Sequence, residues 1–165
     1  REGGSILRLI AMIGAPGDVV TAAGAILLAF DHARREEGVM AAGLLLAALS
    51  SFFFLGVDLI GGFAVPHLSA LDARDSFLAA KLIFDAFFIG GVICLGLAGL
   101  FYGAGARTHT PRMAPLLLLL GVLGLSSGMA ALWDANVAQP MGISVALSAL
   151  AFCWVGARAM AHSPG

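Results

Sequence analysis

Ser76–Tyr102 reads SFLAAKLIFDAFFIGGVICLGLAGLFY, an apolar run in which the only charged residues are Lys81 and Asp85. A helix needs about 20 apolar residues to cross a hydrocarbon layer of roughly 30 Å. The run is continuous where a membrane barrel strand would alternate, so a barrel is excluded. Four more stretches of the same kind surround it: Ser5–Phe30, Val39–Ala64, Met113–Ala135 and Pro140–Ala161. The segments between them (DHARREEG, PHLSALDARD, GAGARTHTPR and DANVAQ) are short and polar, and none is long enough to fold separately. The chain is therefore predicted to be all-α, a polytopic transmembrane helical bundle forming a single domain over residues 1–165.

Composition points the same way. The chain has 165 residues, 60% of them apolar and 12% charged, with a mean hydropathy of +0.98. A soluble domain carries about a quarter charged residues, and half that complement cannot cover a water-facing surface. The net charge of -1 provides no field for phosphates, which excludes a nucleic-acid binder. Two cysteines, Cys94 and Cys153, exclude a disulfide scaffold. The lipid bilayer is the first expected partner.

Lys and Arg in short loops set orientation. If α-helical crossing begins on a side called A, the opposite side B receives Arg34, Arg35, Arg107, Arg112 and Arg158. Side A receives Arg74, with Lys81 just inside the third span and Arg1 and Arg8 near the start. Side B is then cytoplasmic, in a bacterial inner membrane, with the N-terminus outside and the C-terminus inside. The chain begins with Arg1, and no signal-peptide pattern is present. The chain holds five spans, and a preceding helix would make six with both ends inside.

Spans one and two resemble spans three and four in layout, each pair carrying one early Asp (Asp18, Asp85) and one late Asp (Asp58, Asp134). A tandem hairpin repeat has this form. Gly99 with Gly103 and Gly124 with Gly128 form small-xxx-small spacings, which let helices approach closely, within the chain or between copies. Tyr102, Trp133 and Trp154 fall near predicted boundaries, where amphipathic rings anchor at the interface.

Ionisable groups at membrane depth are costly and mark function by default. Asp18 follows Pro16-Gly17, and a Pro-Gly pair is expected to kink or interrupt the first helix. Asp18 then either caps the restarted half or supplies a carboxylate to an ion site at the break. Lys81 and Asp85 are one turn apart near the start of the third span, while Asp58 and Asp134 lie near helix C-terminal ends. Lys81 opposes the dipole at its helix start and the two late acids oppose theirs. Three readings remain open: an ion-pair cluster of Lys81 with Asp85, Asp58 or Asp134, a proton or cation site, or snorkelling. The four histidines fall in loops or at the end, so a bis-histidine haem is not expected. His67, beside the acidic loop Asp72–Asp75, is a weak metal candidate, and no cofactor is expected. Ser50, Ser51, Ser126 and Ser127 are expected to bond back to their own helix backbone.

Phe84-Asp85 through Gly90-Gly91, then Leu95–Gly99, then Pro111-Arg112 before a leucine-rich helix, resembles a bacterial family of small multi-pass membrane proteins of unknown function. The resemblance covers Leu71–Leu125 and implies six helices and a patterned Asp85, without an activity. The connector Gly103–Thr110 departs from that family's short basic-Ser form.

Short loops, no redox ligands and glycine-rich helix faces favour a non-catalytic accessory or scaffold subunit, partnered by another membrane protein or by its own copies. The alternative is a small proton- or cation-coupled transporter or channel using Asp18, Asp58, Lys81, Asp85 and Asp134. A more distant reading is an intramembrane enzyme built on His67 and the outer carboxylates.

Overall fold

The computed structural model describes residues 2–71, 73–134 and 138–161. The helices are α1 (Glu2–Arg34), α2 (Gly38–Leu59), α3 (Val65–Ala70), α4 (Arg74–Gly105), α5 (Ala114–Ala131) and α6 (Ala138–Ala161). A π-helical turn, Ile60–Ala64, joins α2 to α3 without a break. There is no strand among the described residues. The stretches Ser5–Arg34, Gly38–Ala70, Arg74–Gly105 and Ala114–Ala131 are each long and apolar enough to cross a membrane. In α6 the described apolar part is shorter, Val145–Val155. The expected fourth span stops at Ala131, and Ala135 lies outside the described residues.

Two expectations about helix ends are corrected. The first helix runs unbroken through Pro16, Gly17 and Asp18, so Asp18 is an interior residue and caps nothing. Proline removes one backbone bond, and in an apolar setting the remaining bonds have no water to compete with them. The second rod continues past Ala64 through Pro66 and His67 to Ala70. Val65 N–H reaches back to the Ile60 carbonyl, and that widened turn gives the Pro66 ring the room an ordinary α-turn denies it.

Packing is inverted relative to a soluble bundle. Many buried positions are small, among them Ala22, Ala25, Ala29, Ala47, Ala48, Ala98 and Ser50, beside a few large ones such as Leu44, Leu117 and Leu120, while Leu27, Phe30, Leu82, Leu119 and Leu150 lie exposed. Large apolar side chains pointing outward are at home only in an apolar surrounding. Successive long helices are neighbours: α1 packs on α2, α2 on α4, α4 on α5, and α6 on α5 and α4.

A close seam joins α4 to α5. A methyl built on Gly96 would lie 2.5 Å from the Leu125 nitrogen, and one on Gly121 would lie 2.7 Å from the Leu100 nitrogen. Gly99, Gly103, Gly124 and Gly128 line the same seam, so the small-residue spacings are spent on packing inside the chain. Across α2 and α4, the Ser50 hydroxyl donates to the Gly91 carbonyl at 2.8 Å. That bond replaces the expected bond to its own helix, which Ser51 and Ser127 do make, to Ala47 and Gly124.

Of the three expected anchors, Trp133 is 91% exposed just beyond α5, whereas Tyr102 is only 5% exposed. Tyr102 instead packs edge-on against His32 and Phe152, with ring centres 5.7 and 6.0 Å away. Trp154 is partly exposed on α6.

Candidate functional site

The face that α1 turns toward α2 is a stripe of small residues at helical spacing: Ala11, Gly14, Ala22, Ala25 and Ala29. Asp18 falls on that same stripe, seven residues after Ala11 and four before Ala22. From α2, running antiparallel, Ala47 and Ala48 pack against Ala22 and Ala25. Further along, Gly62 of the π turn packs onto Ala11. Between these two contacts lies Asp58, whose carboxylate occupies the space that a Gly14 side chain would fill. Asp58 therefore lodges in a notch in α1 one turn from Asp18, and the two carboxylates interact electrostatically.

Both acids line one half-open cavity of about 530 Å³. Asp18, Thr21 and Leu28 come from α1; Leu44, Ser50, Ser51, Phe54 and Asp58 from α2; Phe88 and Leu95 from α4; Val145, Phe152 and Cys153 from α6. The carboxylates sit toward one end, and the wall toward side B is apolar. Among the described residues, no Lys, Arg or His lines the cavity. Among the described residues, the ion pairs are Arg35–Asp31, Lys81–Asp85 and two pairs of histidine with Glu37. None of them neutralises Asp18 or Asp58.

The charges toward the side A end divide where the sequence placed them in one group. Lys81 pairs with Asp85 at 2.5 Å, one turn along α4, with their side chains 56% and 33% exposed. Neither residue lines the acid cavity. Asp58 belongs with Asp18 across α1 rather than with Lys81. Asp134 is exposed just beyond α5, its N–H bonded to the Ala130 carbonyl at 3.1 Å. His67 is exposed on α3, and Asp72 of its expected acidic neighbourhood lies outside the described residues. Among the described residues, no group of three or more His, Cys, Asp or Glu is placed to hold a metal ion.

One arrangement was not foreseen. On side B, Glu37 sits between two histidines from different segments, His32 Nδ1 at 2.5 Å and His109 Nε2 at 3.2 Å. His32 stands edge-on to Tyr102, so this contact ties the α1–α2 and α4–α5 connections together. Glu36 takes the left-handed turn before it, with φ of 63°, and this reversal aims Glu37 inward. The available signal was the pair His32 and Glu37 flanking the tight turn; no local pattern points to His109.

Compared with known proteins, the chain matches no family model, no curated protein and no solved structure.

Proposed function

We propose that this chain is a small multi-pass carrier or channel of the bacterial cytoplasmic membrane that binds a cation at Asp18 and Asp58 and couples its movement to protons. The observation that carries the reading is the placing of both acids in one cavity, with no basic partner among the described residues. Two carboxylates side by side in a low-dielectric space repel, and a bound proton or larger cation relieves that repulsion. An accessory or scaffold subunit, the first expectation from sequence, gives no reason to hold two uncompensated acids at that depth. In the same proposal α6 is a fifth crossing, the N-terminal side faces outward, and the arginines of side B face the cytoplasm. The resemblance of Leu71–Leu125 to six-helix bacterial membrane proteins would add one crossing to these five and supplies no activity.

The test is proton movement in proteoliposomes that hold a pH-sensitive dye and are driven by a potassium diffusion potential. The unmodified chain is expected to acidify the lumen, Asp18→Asn and Asp58→Asn to slow it at least tenfold, and Asp85→Asn to leave it nearly unchanged. Absence of proton movement in the unmodified chain, or equal movement in Asp18→Asn, overturns the proposal.

A further inference from the structure

We infer that the cavity between α1, α2, α4 and α6 takes an amphiphilic organic cation, a single positive head on an apolar body. This deepens the reading of Asp18 and Asp58 as a cation site and rests on it. Three properties of the cavity select that ligand class.

Its size comes first. About 530 Å³ lies within the range of roughly 300–1,000 Å³ typical of sites for drug-sized molecules, far beyond what a proton or a bare metal ion needs. A divalent metal would also want six or more oxygen ligands in a closed shell. The cavity offers two carboxylates and a few hydroxyls from Thr21, Ser50 and Ser51, two of which already donate to backbone carbonyls.

The second property is the division of its wall. The acids gather toward one end, and the remainder is lined by side chains such as Leu28, Leu44, Phe54, Phe88, Phe152 and Val155. Phe54 and Phe88 meet at 6.0 Å between ring centres, so a cation resting between the acids and these rings meets ring faces or edges as well as carboxylates. An inorganic cation gains nothing from the apolar wall, and a neutral apolar molecule gains nothing from the acids. Only a ligand with both parts uses the whole surface.

Charge complementarity is the third. With no basic residue among the described residues of the lining, the pair carries up to two negative charges and meets no positive partner there. A monovalent head neutralises one of the two carboxylates, and a proton on the other relieves the remaining repulsion.

The experiment measures binding of tetraphenylphosphonium, a permanently charged apolar cation, to the full chain in detergent or nanodiscs by equilibrium dialysis. Tetramethylammonium and triphenylphosphine oxide are the controls for charge alone and apolar body alone. Saturable binding of one tetraphenylphosphonium per chain is expected, at least tenfold tighter than either control and weakened at least tenfold in Asp58→Asn. Cys153 provides a readout that does not need an acid variant, because it lines the cavity and is exposed. In a Cys94→Ser background, bound tetraphenylphosphonium should slow alkylation of Cys153 by N-ethylmaleimide several-fold, and tetramethylammonium should not. Equal binding of the neutral phosphine oxide, unchanged binding in Asp58→Asn, or unprotected Cys153 overturns the inference. If tetraphenylphosphonium fails to bind while carboxylate-dependent proton movement persists, the organic-cation class falls and the cation site stands.

Discussion

Gly121→Ala tests whether the α4–α5 seam is held by backbone approach. The added methyl would lie 2.7 Å from the Leu100 nitrogen and 2.8 Å from the Gly96 carbonyl oxygen. Ordinary contact needs about 3.5–4.0 Å, so the helices must part by roughly 1 Å along the seam. Overpacking of this kind costs about 1–3 kcal/mol, and the upper end applies because both atoms belong to backbone and no rotamer change relieves them. Alanine returns about 1 kcal/mol of helix propensity, leaving a net loss of about 2 kcal/mol. At roughly 2–4 °C per kcal/mol for a chain of this size, the unfolding midpoint should fall by about 4–8 °C. Gly17→Ala is the matched control, since a methyl there meets nothing within 4 Å. It carries only the propensity gain and should raise the midpoint by about 2–4 °C. Both are read by tryptophan fluorescence during heating in one mild detergent. A rise in Gly121→Ala, or an equal fall in both variants, refutes the reasoning.

Gly14→Ala should push the Asp58 carboxylate out of its notch, weakening tetraphenylphosphonium binding about tenfold while leaving the thermal midpoint within a few degrees of the parent. Ser50→Ala removes the 2.8 Å bond from α2 to Gly91. Interhelical bonds in membranes are worth about 0.6 kcal/mol and at most about 1.7 kcal/mol, so the midpoint should drop by a few degrees at most, and Ser127→Ala, whose bond stays within its own helix, by less. Glu37→Gln keeps the shape and removes the charge that His32 and His109 share. Faster amide hydrogen exchange over Arg107–Thr110 is the expected result, and unchanged exchange there would show that the histidine contacts do not hold that connection.

The class of fold was legible because it follows from hydropathy alone, as the run from Ser76 to Tyr102 illustrates. The glycine spacings at Gly99, Gly103, Gly124 and Gly128 also led to a real seam, since close approach leaves a local trace every four residues. Asp18 was legible as unusual but its setting was misjudged, because proline and glycine break helices reliably in water and much less so in lipid. Asp58 was grouped with Lys81, Asp85 and Asp134 as well as with Asp18, because grouping acids by depth ignores which face of a rod each occupies. Counting from Ala11 would have placed Asp18 on the contact stripe. What no counting supplies is the pairing of Asp58 with Gly14 or of Glu37 with His109, both of which depend on how two rods align.

The contact between α1 and the rest of the bundle has a mechanical consequence. On its stripe α1 presents methyl groups, a bare glycine and one acid, from Ala11 through Gly14 and Asp18 to Ala22, Ala25 and Ala29. A rail of alanines has no knobs to lock it at one height. Displacement along its axis by one helical turn, about 5.4 Å, exchanges one methyl for another over most of its length. The acid pair is the exception, because the same step carries Asp18 away from Asp58 and takes the Gly14 notch with it. The carboxylate is thus the one chemically distinct tooth on that stripe, and its place opposite Asp58 marks the register of α1 against α2.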